Sequence, residues 1–169
     1  MTELARYTLQ TQDWSTALRR DIEAATLCVA LSSLSMLPPT PRQTGAWPAL
    51  WHALVAAPGR GIACTIVLPK PTSVHPATLQ NYKAATMLTA ARVRVLWCPG
   101  PRLLHAKTCV IDKLIAWVGS GNFTQAAAAH NHEAWTRLAD PAIAAHLDRF
   151  ILALAADTHA QAHQLQPAS

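Results

Sequence analysis

Between His105 and Asn122 the chain reads HAKTCVIDKLIAWVGSGN. A histidine, a lysine two residues on, an aspartate five after that, then Gly-Ser and an asparagine give the pattern H-x-K-x4-D-x6-G-S-x-N. These side chains suit a phosphate. Lys107 is a compact cation for phosphoryl oxygens. Ser120 and Asn122 add neutral donors, and Gly119 and Gly121 let backbone N–H groups come close. His105 can attack phosphorus or pass a proton near neutral pH. No carboxylate falls within the His, Lys, Ser and Asn cluster, so nothing there demands Mg²⁺, and neither a metal nor a cofactor is expected. The bland alternative is a buried hairpin with one satisfied histidine. Six fixed residue types recur by chance only on the order of 10⁻⁸ times per start position, which favours the functional reading.

A β-hairpin is the element that must hold these groups. Leu103–Ile111 is apolar and β-branched around its polar members, which predicts a strand. His105 and Lys107 then share a face, roughly 7 Å apart. Asp112-Lys113 is the expected two-residue turn, with Leu114–Val118 as the return strand. In that register Ser120 stands opposite His105 and Val118 opposite Lys107, and Asn122 has the parity of Ser120.

The pattern formed by His105, Lys107, Asp112, Gly119, Ser120 and Asn122 resembles the HKD signature of the phospholipase D superfamily. The continuation FTQAAAAHNHEAW is similar to that of its small bacterial endonucleases. The specific match runs from Leu104 to Trp135. The resemblance implies that His105 attacks a phosphodiester to form a phosphohistidine, while a second histidine protonates the leaving oxygen and then activates water. It implies phosphate binding by Lys107 and Asn122, with Ser120 beside them. Asn131 and Glu133 match the family's Asn-x-Glu, in which the glutamate supports the histidine. Asp112 is implied to be a structural partner more than an attacking group. The chain contains one such motif, so a working site is expected to need a homodimer in which each copy gives one His105.

At 169 residues with half of them hydrophobic, the length predicts one domain spanning residues 1–169 with a real core. No apolar run reaches the roughly 18 residues of a membrane span. The N-terminus lacks a basic segment followed by an apolar core, so a cytoplasmic location is expected. Cys28, Cys64, Cys98 and Cys109 each lie in an apolar segment without C-x-x-C spacing, which reads as buried thiols rather than zinc ligands or disulfides. Cys109 shares strand parity with His105, but nothing else recommends it as a nucleophile.

The net charge is +5, and its distribution is uneven. Between Glu23 and Asp112 there is no acidic residue, while Arg42, Arg60, Lys70, Lys83, Arg92, Arg94, Arg102 and Lys107 fall inside that stretch. A carboxylate-free block of cations suits a polyanion such as DNA or RNA, against the simpler reading of solvated surface charge.

In chain order, the pattern predicts a short strand at Ala5–Gln10, a helix from Asp13 to Ala25, and a buried strand within Thr26–Leu34. A Pro-rich loop over Met36–Pro48 precedes a helix at Trp47–Ala57 and a strand at Gly61–Leu68. A second Pro-rich loop spans Pro69–Pro76, followed by a helix at Ala77–Ala91 and a strand at Arg92–Cys98. After the hairpin come a short helix at Thr124–His130, a strand at His132–Leu138, and a helix from Pro141 to His163. Strands alternating with helices predict an α/β fold: a mixed, largely parallel sheet with helices on both faces.

Loops at the carboxyl ends of parallel strands border sites in such folds. The two Pro-rich loops therefore offer Arg42, Lys70 and Trp47 as a rim or lid, against the reading that they serve packing or dimer contact, and Arg42, Lys70 and Arg102 are candidate nucleic-acid contacts. Trp51, Trp97, Trp117 and Trp135 lie in core-like patterns. His52 and His146 fall in helical patterns, and His130 and His132 flank Asn131. His159 and His163 have i, i+4 spacing, but solvent-facing positive charge at a helix C-terminus accounts for it. The function expected is a metal-independent phosphodiesterase acting on nucleic acid. The alternatives are a phospholipid head-group enzyme, for which no anchor or amphipathic basic helix is evident, and a catalytically silent nucleic-acid-binding module.

Overall fold

A computed structural model of the chain describes residues 7–156. The His159 and His163 pair, and the outer ends of the first strand and last helix expected from the sequence, lie outside those residues. Seven strands form one sheet. They are β1 (Tyr7–Gln10), β2 (Cys28–Ser32), β3 (Ala63–Pro69), β4 (Arg94–Cys98), β5 (Lys107–Ile111), β6 (Ile115–Gly119) and β7 (Trp135–Leu138), in the order β1-β7-β6-β5-β2-β3-β4. The helices are α1 (Trp14–Ala24), α2 (Ala46–Ala56), α3 (Asn81–Ala90), α4 (Gln125–Ala129) and α5 (Pro141–Ala155). The stretch expected as one helix over Ala77–Ala91 is instead a 3-10 turn at Pro76–Thr78 followed by α3.

The fold class is the expected α/β one, with helices on both faces, but the sheet is not largely parallel. Among the described residues only β2–β3 and β3–β4 pair in parallel; the other four pairings are antiparallel. The cause lies in the connections. Parallel neighbours need a crossover of a dozen or more residues, which α2 and α3 supply. After β4 the chain returns along the same edge of the sheet through residues 99–106 into β5, and a tight hairpin joins β5 to β6, so β5 enters antiparallel to both of its neighbours.

One face of the sheet carries the main core. Trp14, Leu18 and Ile22 of α1, Leu50 and Leu54 of α2 and Leu88 of α3 pack on Val29, Leu31, Ile66, Cys109 and Trp117. On the other face Ala144 and Ile151 of α5 pack on Ala30, Val67, Val110 and Ala116. Alternation along β5 sends Cys109 and Ile111 to the first face and Val110 to the second. Lys107, with the parity of Cys109, therefore faces the α1–α2 side at the end of its strand.

The far end of β5 is fixed by Asp112. Its carboxylate accepts hydrogen bonds from the backbone N–H groups of Thr26, Leu27 and Cys28 at 2.8–2.9 Å and from the Thr26 hydroxyl at 3.0 Å. Burial alone would raise its pKa. These four donors outweigh burial and hold the carboxyl below its ordinary value. Asp112→Ala is expected to cost about 2–4 kcal/mol in urea unfolding at neutral pH, because three backbone donors lose a charged acceptor. A group with a lowered folded pKa stabilises above its unfolded value and loses that contribution as pH falls through the folded one. The gap between wild type and variant should therefore close below about pH 4. An equal gap at pH 7 and pH 2 would contradict this.

Candidate active site

His105 does not lie in a strand. The β2–β5 ladder ends where Ser32 pairs with Thr108, so Leu103–Ala106 has no ladder partner and runs irregularly into β5. His105 is exposed and Lys107 beneath it is buried, at 4% exposure. The lysine folds back under the histidine. Its Nζ donates to the His105 carbonyl at 2.7 Å and lies 3.1 and 3.2 Å from Nδ1 and Nε2 of the ring. Burial pulls the Lys107 pKa below the usual lysine value, and the Glu133 carboxylate opposes that shift. A desolvated ammonium thus sits directly beneath an accessible imidazole.

The hairpin register differs by one residue from the one the turn implied. Asp112 and Lys113 both have positive φ, 53° and 57°, and Leu114 N–H donates to the Ile111 carbonyl at 3.0 Å. The two-residue turn is therefore present. However, Ile115 rather than Leu114 pairs with Ile111, leaving the exposed Leu114 as an extra residue. The shift sets Gly119 opposite Lys107 and Val118 opposite Thr108. Ser120 then falls beyond β6 and is not paired with His105.

Ser120 instead joins a small network. Its hydroxyl donates to Glu133 Oε2 at 2.5 Å and accepts from the Ala134 N–H at 3.1 Å, while Asn131 Nδ2 donates to Glu133 Oε1 at 3.2 Å. A carboxylate therefore does enter the cluster, contrary to the reading of the hairpin alone. It is held by two polar residues, Ser120 and Asn131, and its charge bears on Lys107. Asn122 accepts from Ser33 Oγ at 3.4 Å through Oδ1, which orients its amide nitrogen as a donor. The two glycines serve packing: a Cβ at Gly119 would overlap the Trp135 indole, and one at Gly121 would lie 2.9 Å from its Nε1. They admit a fully buried tryptophan beneath the site.

Asp112 is held at the opposite end of β5 from this group, so the structure does not bring it together with His105, Lys107, Ser120 and Asn122. Arg42 is exposed on its loop, whereas Trp47 is 1% exposed and donates to the Leu37 carbonyl, so it forms no aromatic rim. Lys70 and Arg102 do come together, lining a cleft of about 320 Å³ with His75. Arg60 is taken up structurally, donating to the Ile22 carbonyl at 2.8 Å. The basic block is therefore dispersed rather than one patch. Cys64 and Cys109 are buried thiols; burial raises Cys64 to about 11 and Cys109 well above the usual value, so neither offers a thiolate. His52, His130, His132 and His146 are exposed.

Sequence reasoning missed the polar layer under the site. Ser33, Asn81 and Gln80 are all in it. Asn81 is fully buried and donates to the carbonyls of Leu34 and Pro69 while accepting from the Met36 N–H, tying together the ends of β2 and β3. Gln80 donates to the Ser35 hydroxyl. The Ser-x-Ser run after β2 was the available signal.

The family model described as "Cardiolipin synthase, PLD-like domain" matches residues 19–154. The chain belongs to this phospholipase D-like family. Its single HKD motif is the His105–Asn122 segment from which the site is built. Solved structures share the fold. Nuc from Salmonella typhimurium, described as a phospholipase D family member, superposes with a TM-score of 0.70 at 19% identity, covering 88% of this chain and 93% of its own. NucT from Helicobacter pylori gives 0.67 at 15% identity, covering 88% and 94%. Polyphosphate kinase from Porphyromonas gingivalis gives 0.67 at 16% identity, covering 97% of this phospholipase D-like chain but 27% of its own. Among curated proteins there is no match. No helix among the described residues is long and apolar enough to cross a membrane.

Proposed function

We propose that the chain is a metal-independent phosphodiesterase that hydrolyses DNA or RNA in the cytoplasm, at a site shared by two copies. The observation that carries the reading is an exposed imidazole with a buried ammonium 3.1–3.2 Å beneath its ring nitrogens. The nucleophile and the charge that receives a phosphoryl oxygen are thereby preorganised on one short segment. His105 of one copy attacks phosphorus, forming the P–N bond as the P–O bond to the leaving group breaks. His105 of the second copy gives its proton to the departing oxygen. That second imidazole then takes a proton from water, whose oxygen attacks phosphorus and expels the first histidine. Lys107 and the Asn122 amide hold the non-bridging oxygens. Ser120 and Asn131 keep the Glu133 carboxylate in place, and Glu133 acts on Lys107 as a positioning residue.

The name of the matched family favours a second reading, transfer or release of phospholipid head groups. The same residues would serve that chemistry. Incubation with DNA, RNA and phosphatidylglycerol vesicles in EDTA separates the two. The expected result is nucleic-acid cleavage without head-group release, by a species of twice the chain mass. Activity lost to EDTA and restored by Mg²⁺, or head-group release alone, would reject the proposal.

A further inference from the structure

The cleft beside the motif has no role in the chemistry above. Its walls are the ends of β3 and β4 and the two segments that follow them: Pro69, Lys70, Thr72, Val74, His75 and Thr78 on one side, and Cys98 through Leu103 on the other. The Lys70 N–H donates to the Cys98 carbonyl at 3.4 Å, joining the two walls at the base. One wall is stiff. The Thr72 N–H donates to Thr78 Oγ1 at 3.0 Å, Thr78 Oγ1 donates to the His75 carbonyl at 2.7 Å, and the Thr78 N–H donates to the same carbonyl at 2.8 Å. The other wall is Pro99-Gly100-Pro101, with proline restricting the backbone.

Two features of the lining select an occupant. Much of the lining is apolar, from Pro69, Val74, Pro99, Pro101 and Leu103, and the polar side chains of Lys70, His75 and Arg102 line it with them. Among the described residues no carboxylate lines it. A largely apolar cleft of this volume with cations in its lining fits a flat, weakly polar ring joined to a phosphate. A second copy of the chain is a poor occupant, because a two-fold contact would set these cations against themselves.

The cleft also shares one edge of the sheet with the motif. β5 runs antiparallel to β2, so the start of β5 lies at the same edge of the sheet as the ends of β3 and β4. β5, β2, β3 and β4 are successive neighbours. At about 4.8 Å per strand the cleft lies roughly 10–15 Å across from Lys107. Leu103, in its wall, is two residues from His105. A strand whose scissile phosphate rests on Lys107 and that runs along this edge toward β4 would reach the cleft.

We infer that this cleft is a subsite for one unpaired nucleotide flanking the scissile phosphate, with the base in the Pro69–Leu103 slot and its phosphate on Lys70 and Arg102. The inference rests on the nucleic-acid reading above. It implies preference for unpaired strands, since a base within a duplex is stacked and paired and cannot enter.

The test combines Lys70→Gln with Arg102→Gln, both exposed positions, and uses two readouts. The first is turnover of a single-stranded oligonucleotide against turnover of bis(p-nitrophenyl) phosphate, which has one phosphate and no flanking nucleotide. The second is binding of a fluorescent eight-nucleotide strand, with each chain carrying His105→Ala so that nothing is cut. The double variant should lose about tenfold or more in oligonucleotide kcat/KM and in affinity, keep small-diester turnover within about twofold, and show a salt dependence of binding shallower by about one power per cation removed. Equal losses on both substrates, or unchanged binding, would overturn the subsite. Binding that depends on Lys70 and Arg102 without cleavage of either substrate by the wild type would leave the subsite standing and remove the hydrolase reading.

Discussion

His105→Ala is expected to lower phosphodiester hydrolysis by a factor of about 10⁴ or more, since it removes the group that bonds to phosphorus. The loss should leave the fold intact. His105 is exposed and lies outside the β5 ladder, so thermal unfolding should move by no more than about a degree or two. The larger consequence concerns the second imidazole. If one His105 from each of two chains forms a single site, a mixed pair is inactive. Equal amounts of wild-type and variant chains, reassorted at random, then contain wild-type pairs as about one quarter of all dimers. Independent sites would keep about one half of the activity. Measured activity near one quarter after unfolding and refolding the mixture, and near one half when the proteins are mixed without exchange, identifies a shared site. Activity near one half in both samples, or a fully active monomer by mass, leaves a lone imidazole to do both proton transfer and attack, and the mechanism fails. Recovery of a phosphorylated peptide containing His105 from a quenched reaction would establish the covalent step directly.

Much of the candidate site is legible in the sequence alone, for a physical reason. The motif is local: its residues span one hairpin, and strand period and turn chemistry constrain a hairpin from within. The helices are legible from apolar spacing, as with Leu18 and Ile22 of α1. The register is not, because it depends on whether Leu114 joins the ladder. The Asp112-Lys113 turn satisfies its own hydrogen bond in either case. In the observed sheet Gly119 also pairs with Trp135, distant in sequence, whose indole occupies the space that any side chain at Gly119 would need. The apolar neighbours of His105 predict a strand there, but β2 ends too early to pair with it. The cations read as one block because they share the acid-free segment. Folding assigns Arg60 to the end of α1 and Lys107 to the interior, and brings Lys70 and Arg102 to the lining of one cleft. The polar layer of Ser33, Gln80 and Asn81 is hidden because its partners lie far apart along the chain.

Lys107→Met is expected to separate activity from stability. Burial lowers the lysine's pKa, which means that the folded protein disfavours its charge relative to water. Methionine fills similar volume without that penalty, so the variant should be as stable as wild type or more so. Its kcat/KM should nevertheless fall by about 10²–10³, the usual cost of removing one charged donor from a developing phosphoryl charge. Such a split marks a side chain retained for chemistry against the preference of the fold. The pH profile gives an independent reading. The ammonium exists only below its own pKa, so wild-type activity should decline on the alkaline side before the ordinary lysine value of about 10.5. Glu133 holds that pKa up from a still lower value. Glu133→Gln should therefore move the alkaline limb to lower pH, while a purely structural glutamate would lower activity equally across the range. A limb that stays in place or moves upward would show that Glu133 does not act through Lys107. A Lys107→Met chain with wild-type turnover would remove the phosphate-binding role itself, since no other buried cation lies under His105 among the described residues.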